Sequence, residues 1–174
     1  EETKKDLELV ATPNAKTIDE VCNYLNLDVT KSVKALLMNI NDELVAFFIR
    51  GDRELNETKV TKLLNCEEVL FASDELISKS NAVPGYTGPI NLNGAKIIID
   101  EEVKTMTNFV VGANKEGYHF INANLSDFNY DLCADIINVK ENDIVTYKEN
   151  DDLIAPKNTT YKIKVELIDK VGNI

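Results

Sequence analysis

The stretch NAVPGYTGPI, residues Asn81 to Ile90, crowds Pro84, Gly85, Gly88 and Pro89 into six positions between two apolar runs. Proline fixes φ near −65° and brings no amide donor, while glycine reaches backbone conformations barred to other residues. Such a segment can be neither helix nor mid-sheet strand, so it is a shaped loop. Its glycines let a ligand approach the main chain, and the N–H groups between them can point outward together. On local sequence alone an ordinary double turn fits as well. What flanks the loop decides between the two.

Downstream, Ala95 to Ile99 is a strongly apolar strand ending at Asp100, and Glu101 to Met106 is a helical turn. Asn108 to Val111 runs as a strand into Gly112-Ala113-Asn114, and Lys115 to Gly117 turns back into Tyr118-His119-Phe120-Ile121, a hairpin with His119 on its return arm. That histidine fits satisfied structure or acid–base chemistry. Asp135 to Val139 is one more strand. Lys140 to Thr160 is polar, acidic and loop-rich, and Tyr161 to Ile168 alternates as a final strand.

Upstream, Val69 to Ala72 is a short strand, and Ser73 or Asp74 starts a brief helix toward Lys79. Asn56 caps a helix from Glu57 to Leu64, with Lys59 and Lys62 on one side, a solvated face by default. Ser32 to Ile40 and Glu43 to Arg50 flank the turn Asn41-Asp42 and make another hairpin. The first arm is apolar on both faces, as a central strand would be. Lys34 interrupts it, and must either snorkel at the strand's start or line a cavity. Thr17-Ile18-Asp19-Glu20 is a capping box opening a helix to about Asn26, with Ile18, Val21, Cys22 and Leu25 as its apolar stripe. Leu7 to Ala11 is a strand closed by Thr12-Pro13-Asn14. Strands interrupted by short helices predict one α/β domain with a mixed sheet.

Composition narrows the function. A chain of 174 residues, 44% hydrophobic and 28% charged, is one domain's worth of soluble protein. A net charge of −11 opposes a general nucleic-acid coat but leaves room for a local grip on an RNA end. No apolar run is long enough to span a membrane, and the first residues lack a secretory core. Cys22, Cys66 and Cys133 are odd in number, widely spaced and without a CxxC pair, so buried free thiols in a reducing cytoplasm are expected. With one histidine, His119, no histidine-rich metal centre is expected.

Six stretches in order, ELVATPNAKTIDEV (8–21), KSVKALLM (31–38), RGDRELNETKV (50–60), PGYTGP (84–89), NFVVGANKEGYHF (108–120) and ADIINV (134–139), together resemble the editing domain inserted into bacterial-type prolyl-tRNA synthetases. That domain is a member of the YbaK-like aminoacyl-tRNA deacylase superfamily. The resemblance covers Leu7 to Val139. It implies a mixed, strongly curved sheet flanked by short helices, and hydrolysis of alanine wrongly esterified to proline tRNA, with no cofactor or metal.

Carried over residue by residue, the family's glycine-x-x-x-proline loop falls on Gly85, Tyr86, Thr87, Gly88 and Pro89. Its key lysine falls on Lys34, its histidine on His119, and its alanine-pocket residues on Ile18 and Val21. Asp52 and Lys59 fall near the site. The implied partners are the acceptor end of proline tRNA and, for an excised insert, the rest of the synthetase. Residues 140–174 depart from the family pattern. Only Lys170-Val171-Gly172-Asn173-Ile174 resembles the stretch that leads such an insert back into its synthetase, so an excised insert and a diverged stand-alone protein both fit.

The chemistry agrees with that implication. A methylene is worth only about 1–3 kcal/mol in a pocket, so a site built for proline admits alanine, and a second site too small for proline is the remedy. Ile18 and Val21 are branched and stiff, suited to such walls. The sequence holds no GxSxG elbow, Cys/His pairing or metal cluster, so water attacking an already activated ester is the expected reaction. Two alternatives stay open: a related deacylase that removes cysteine, and a module of the same fold that binds a tRNA end or a protein without cleaving anything.

Overall fold

The computed structural model describes residues 2–141, 143–146 and 160–162. The chain divides into two compact units, residues 1–137 and residues 138–174.

The first unit holds two sheets. Strands β1 (Glu8–Ala11), β6 (Phe109–Gly112) and β7 (Tyr118–Ala123) form an antiparallel three-stranded sheet ordered β1-β7-β6. Strands β2 (Val33–Ile40), β3 (Glu43–Arg50), β4 (Leu70–Phe71), β5 (Lys96–Asp100) and β8 (Leu132–Ala134) form a mixed five-stranded sheet ordered β4-β2-β3-β5-β8. Its β4-β2-β3 half is antiparallel, and β3-β5-β8 is parallel. The mixed sheet agrees with the sequence reading, whereas the second hairpin and β1 make a sheet of their own.

Local chemistry sets the elements. Helix α1 (Ile18–Leu25) starts at the expected capping box: the Thr17 hydroxyl accepts the Glu20 amide at 3.2 Å, and the Glu20 carboxylate accepts the Thr17 amide at 2.9 Å. It stops at Asn26, whose left-handed backbone (φ 53°) ends the helix. Helix α2 (Glu57–Leu64) is capped by Asn56 and ended in the same way at Asn65, and the short α3 (Asp74–Ile77) is capped by Ser73. Asn41 and Asp42, both at positive φ, make the tight turn between β2 and β3. Residues 81–90 carry neither helix nor strand, as expected.

Both faces of the mixed sheet are covered. One packs Ala46, Phe48 and Ile99 against Phe109, Val111 and Ala123 of the other sheet, with Ile90 and Leu92 of the loop and Val103 of α4 (Glu101–Thr105). The opposite face packs Phe47, Ile49 and Ile98 against Val60 of α2 and Ile136. Strand β3 lies at the middle of the sheet, and β2 is an interior strand beside it, as its two-sided apolar pattern predicted, paired with β3 along its whole length. Strand β4 pairs only with Met38 and Asn39, which leaves the first half of β2 as an uncovered edge. That gap positions the site.

The segment expected as a strand over Asp135–Val139 is not one, and the strand lies earlier, at Leu132–Ala134. The Ile136 amide donates to the buried Asp100 carboxylate (3.0 Å), and the Ile136 carbonyl accepts the Asn56 amide (2.8 Å). Both ladder groups are thus spent on other elements. All three cysteines are free, with Cys22 buried and Cys66 and Cys133 half-buried. Among the described residues no helix is long and apolar enough to cross a membrane.

In the second unit, β9 (Ile144–Thr146) pairs antiparallel with β10 (Thr160–Lys162). The first of these falls in a stretch read as loop, the second at the start of the expected final strand. The rest of that strand, residues 163–168, and the stretch Lys170–Ile174 lie outside the described residues.

Candidate active site

A cavity of about 390 Å³ opens between the uncovered edge of β2, strand β6 and the proline-glycine loop. Strand β2 serves as its ruler. Ser32 bridges Val110 in parallel, so two residues on Lys34 comes level with Gly112, and Gly112 pairs with His119 on β7. Farther along, the Ala72 amide donates to the Leu37 carbonyl at 3.0 Å, and Phe71 pairs with Met38. At a strand's rise per residue, Lys34 and Met38 are roughly 13 Å apart.

The cavity therefore has an order. At the Ser32 end sit Ile18 and Val21, Val21 buried in a cluster with Ala15 and Val110. At the level of Gly112 sit Lys34, Gly85, Thr87 and His119, and at the far end Phe71 and Ala72. Residues far apart in the chain, singled out as Ile18, Val21, Lys34, Gly85, Thr87 and His119, thus line one cavity.

The loop is held from behind. A Cβ at Gly88 would overlap the Gly112 carbonyl oxygen, and one at Gly112 would overlap the Tyr86 and Thr87 carbonyls, so loop and β6 touch main chain to main chain. Asn114, itself left-handed (φ 53°), donates its backbone amide to the Tyr86 carbonyl at 2.8 Å. Its carboxamide Oδ1 accepts the Gly88 amide at 3.0 Å, and Nδ2 donates to the Gly88 and Ile90 carbonyls. Gly85 takes φ +84°, a conformation glycine adopts without penalty.

This clamp sorts the loop's amides. Tyr86 donates to the Val83 carbonyl at 2.8 Å, Gly88 donates to Asn114, and Pro89 has no N–H. The amides of Gly85 and Thr87 have no hydrogen-bond partner among the described residues, and both residues line the cavity. Tyr86, Gly88 and Pro89 are buried support that lies outside the lining. The Tyr86 ring packs tilted on His119, with centroids 5.6 Å apart.

His119 is 5% exposed, and burial pushes its pKa down to about 4, so the ring is neutral near pH 7. Its Nδ1 lies 2.6 Å from the hydroxyl of fully buried Thr12, which fixes the ring's orientation. Among the described residues, no group of three or more His, Cys, Asp or Glu side chains is placed to hold a metal ion.

Asp52 and Lys59 are not brought to the cavity. Asp52 accepts both Arg50 Nε (2.5 Å) and Nη2 (3.0 Å), in a cluster where Glu102 also pairs with Arg50 and with buried Arg53. Lys59 Nζ binds both carboxylate oxygens of Asp135 and the Ile137 carbonyl at 2.8 Å, tying α2 to the chain after β8 instead of forming a solvated face.

Four residues of the site escape the sequence reading. Thr12 passes as a strand terminator and Phe71 as one residue of a short strand. Lys16 reads only as the residue before a capping box, yet its amide donates to the Glu20 carboxylate at 2.9 Å and its stem packs against Gly85 beside the cavity. Asn114 reads only as a turn residue, although asparagine's amide suits both its left-handed backbone and the clamp.

Comparison with known proteins follows the same lines. The profile of the aminoacyl-tRNA editing domain matches residues 12–128. Over 171 residues the chain is 39% identical to the proline--tRNA ligase of Caldicellulosiruptor saccharolyticus, a match that covers 98% of this chain and 28% of that protein. It is 44% identical over 144 residues to the proline--tRNA ligase of Finegoldia magna, covering 81% of this chain and 25% of that one. The chain thus spans about a quarter of the length of the curated relatives it matches. Among solved structures, a protein assigned as a trans-editing enzyme for prolyl tRNA synthetase superposes with a TM-score of 0.65 at 19% identity, over 76% of this chain and 87% of that one. The hypothetical protein APE2540 gives 0.64 at 18% identity, over 76% and 92%. At such identities the likeness is one of fold.

Proposed function

The chain belongs to the aminoacyl-tRNA editing domain family, and from that premise we propose that it hydrolyses the ester of proline tRNA wrongly charged with alanine. The observation that carries this reading is the common lining of one cavity: apolar Ile18 and Val21 at one end, Lys34, Gly85, Thr87 and neutral His119 one step along.

The steps follow from that order. The aminoacyl methyl group lodges against Ile18 and Val21, where a five-membered ring would meet branched side chains. The ester carbonyl oxygen faces the Gly85 and Thr87 amides, which hold the negative charge that develops when water attacks. The water oxygen bonds to the carbonyl carbon, the bond to the ribose oxygen breaks, and the water's proton ends on that ribose oxygen. The neighbouring ribose hydroxyl orients the water, so the substrate supplies part of its own catalysis. Lys34 holds the ribose-phosphate end by charge and keeps the ester in register. His119 orients: a ring neutral at pH 7 has no imidazolium proton to donate, and a pKa of about 4 makes it a weak base for the water's proton. The synthetase body and the tRNA it docks are the proposed partners, and the cytoplasm is the proposed setting.

The test is to mix the chain with proline tRNA carrying alanine, cysteine or proline and follow release of each. Release of alanine alone supports the reading. Release of cysteine in its place assigns the pocket to the larger thiol side chain, and binding without release makes the chain a non-catalytic module.

A further inference from the structure

Phe71 stands at the far end of the cavity with 80% of its surface exposed, although the phenyl ring belongs to a strand of the mixed sheet. It is the most exposed of the described large hydrophobic side chains. Burial of such a ring is worth a few kcal/mol, so its exposure beside a cavity indicates a surface that something covers. The Ala72 amide is anchored to Leu37, which fixes where the ring's strand ends relative to β2.

We propose that Phe71 is the stacking platform for the terminal base of the tRNA acceptor end, with the base laid on the phenyl face. This rests on the deacylase reading above and extends it to the nucleotide that carries the ester. The order of the cavity along β2 is the argument. If the aminoacyl group lies at Ile18 and Val21 and the ribose at Lys34 and Gly85, the base extends away from the acyl end, toward Leu37 and Phe71. The roughly 13 Å from Lys34 to Met38 leaves room for a nucleoside. Aromatic stacking is sequence-tolerant and needs no basic field, which suits a chain of net charge −11. Lysines at the middle of the cavity, Lys34 and Lys16, complement the phosphate that precedes the terminal sugar.

The test uses the 174-residue chain and a CCA-ended oligonucleotide with 2-aminopurine as its terminal base and alanine joined through a non-hydrolysable amide. Stacking quenches that base. Quenching is expected with the wild type and with Phe71→Tyr. With Phe71→Ala it should vanish, and the Kd should rise about ten-fold or more, within the range that single stacked bases contribute. Quenching that survives Phe71→Ala, or is absent in the wild type, overturns the proposal. So does a wild-type dimer that Phe71→Ala dissociates, since the ring would then be a contact between copies. The readout needs no hydrolysis: alanine release without quenching ends the platform and leaves the deacylase reading intact, whereas quenching without release does the reverse.

Discussion

The side chain of Asn114 grips Gly88 from both sides, its Oδ1 accepting the glycine amide at 3.0 Å and its Nδ2 donating to the glycine carbonyl at 2.9 Å. The turn after β6 thereby holds the proline-glycine loop in place of a β ladder. It also commits the Gly88 amide, and so leaves Gly85 and Thr87 as the loop's donors. Asn114→Ala strips three hydrogen bonds from buried main chain, and a loss of about 1–3 kcal/mol in stability is expected. Deacylation should fall by about ten-fold, because donors aimed at an oxyanion lose their effect when misplaced. Chemical denaturation beside single-turnover kinetics checks both. A variant with unchanged rate would show that the clamp is not needed for chemistry.

The loop's two glycines should respond differently. At Gly88 a methyl group would overlap the Gly112 carbonyl, a rigid main-chain neighbour, so Gly88→Ala must push β6 and the loop apart. At Gly85 a methyl group meets only the Lys16 stem at 3.3 Å, and the cost is mainly that of φ +84°, about 1–2 kcal/mol for a residue with a side chain. Gly88→Ala is therefore expected to lower the melting temperature more than Gly85→Ala, while both impair the rate. Equal melting temperatures would mean that the main-chain contact yields easily.

Much of this was legible because each helix cap and hairpin turn carries its own chemistry: Thr17 with Glu20, Asn56, and Asn41-Asp42 name their structures locally. The capping box and the loop also located Ile18 and Gly85. What stayed hidden depends on partners distant in sequence. Thr12 gains meaning only from His119, Asn114 only from Gly88, and Phe71 only from the short pairing that leaves the edge of β2 open. Asp135–Val139 has a strand's composition, yet Asp100 and Asn56 take the ladder groups of Ile136. Lys59 and Lys34 are both lysines flanked by apolar residues, and only the fold separates one tied to Asp135 from one in the cavity wall.

That separation can be tested. Lys34→Ala should lower kcat/KM by at least about an order of magnitude and flatten its dependence on salt, as expected when a phosphate contact is lost. Lys59→Ala removes a part-exposed ion pair and a bond to the Ile137 carbonyl, so about 1 kcal/mol of stability should go while the rate stays as it was. Melting curves and initial rates across a salt series distinguish the two. A fall in rate for Lys59→Ala in a folded protein would return that lysine to the site.

His119 makes a prediction about pH. Its pKa of about 4 in the folded chain lies below the ordinary 6.5, because burial disfavours the imidazolium. Between those values the unfolded chain binds more protons than the folded one. The stability that a neutral His119 contributes is therefore complete above about pH 6.5 and is lost as pH falls toward 4. Allowing for solvent screening at the cavity wall, the loss is on the order of 2 kcal/mol. Urea midpoints at about pH 7 and pH 5 should differ for the wild type and draw together for His119→Asn, since most carboxylates titrate below that interval. The same burial keeps the ring's ionisation out of the rate profile over this range. An ionisation near pH 6.5 that vanished in His119→Asn would instead make the histidine the base that takes the proton from water, and Thr12 the residue that holds it to that task.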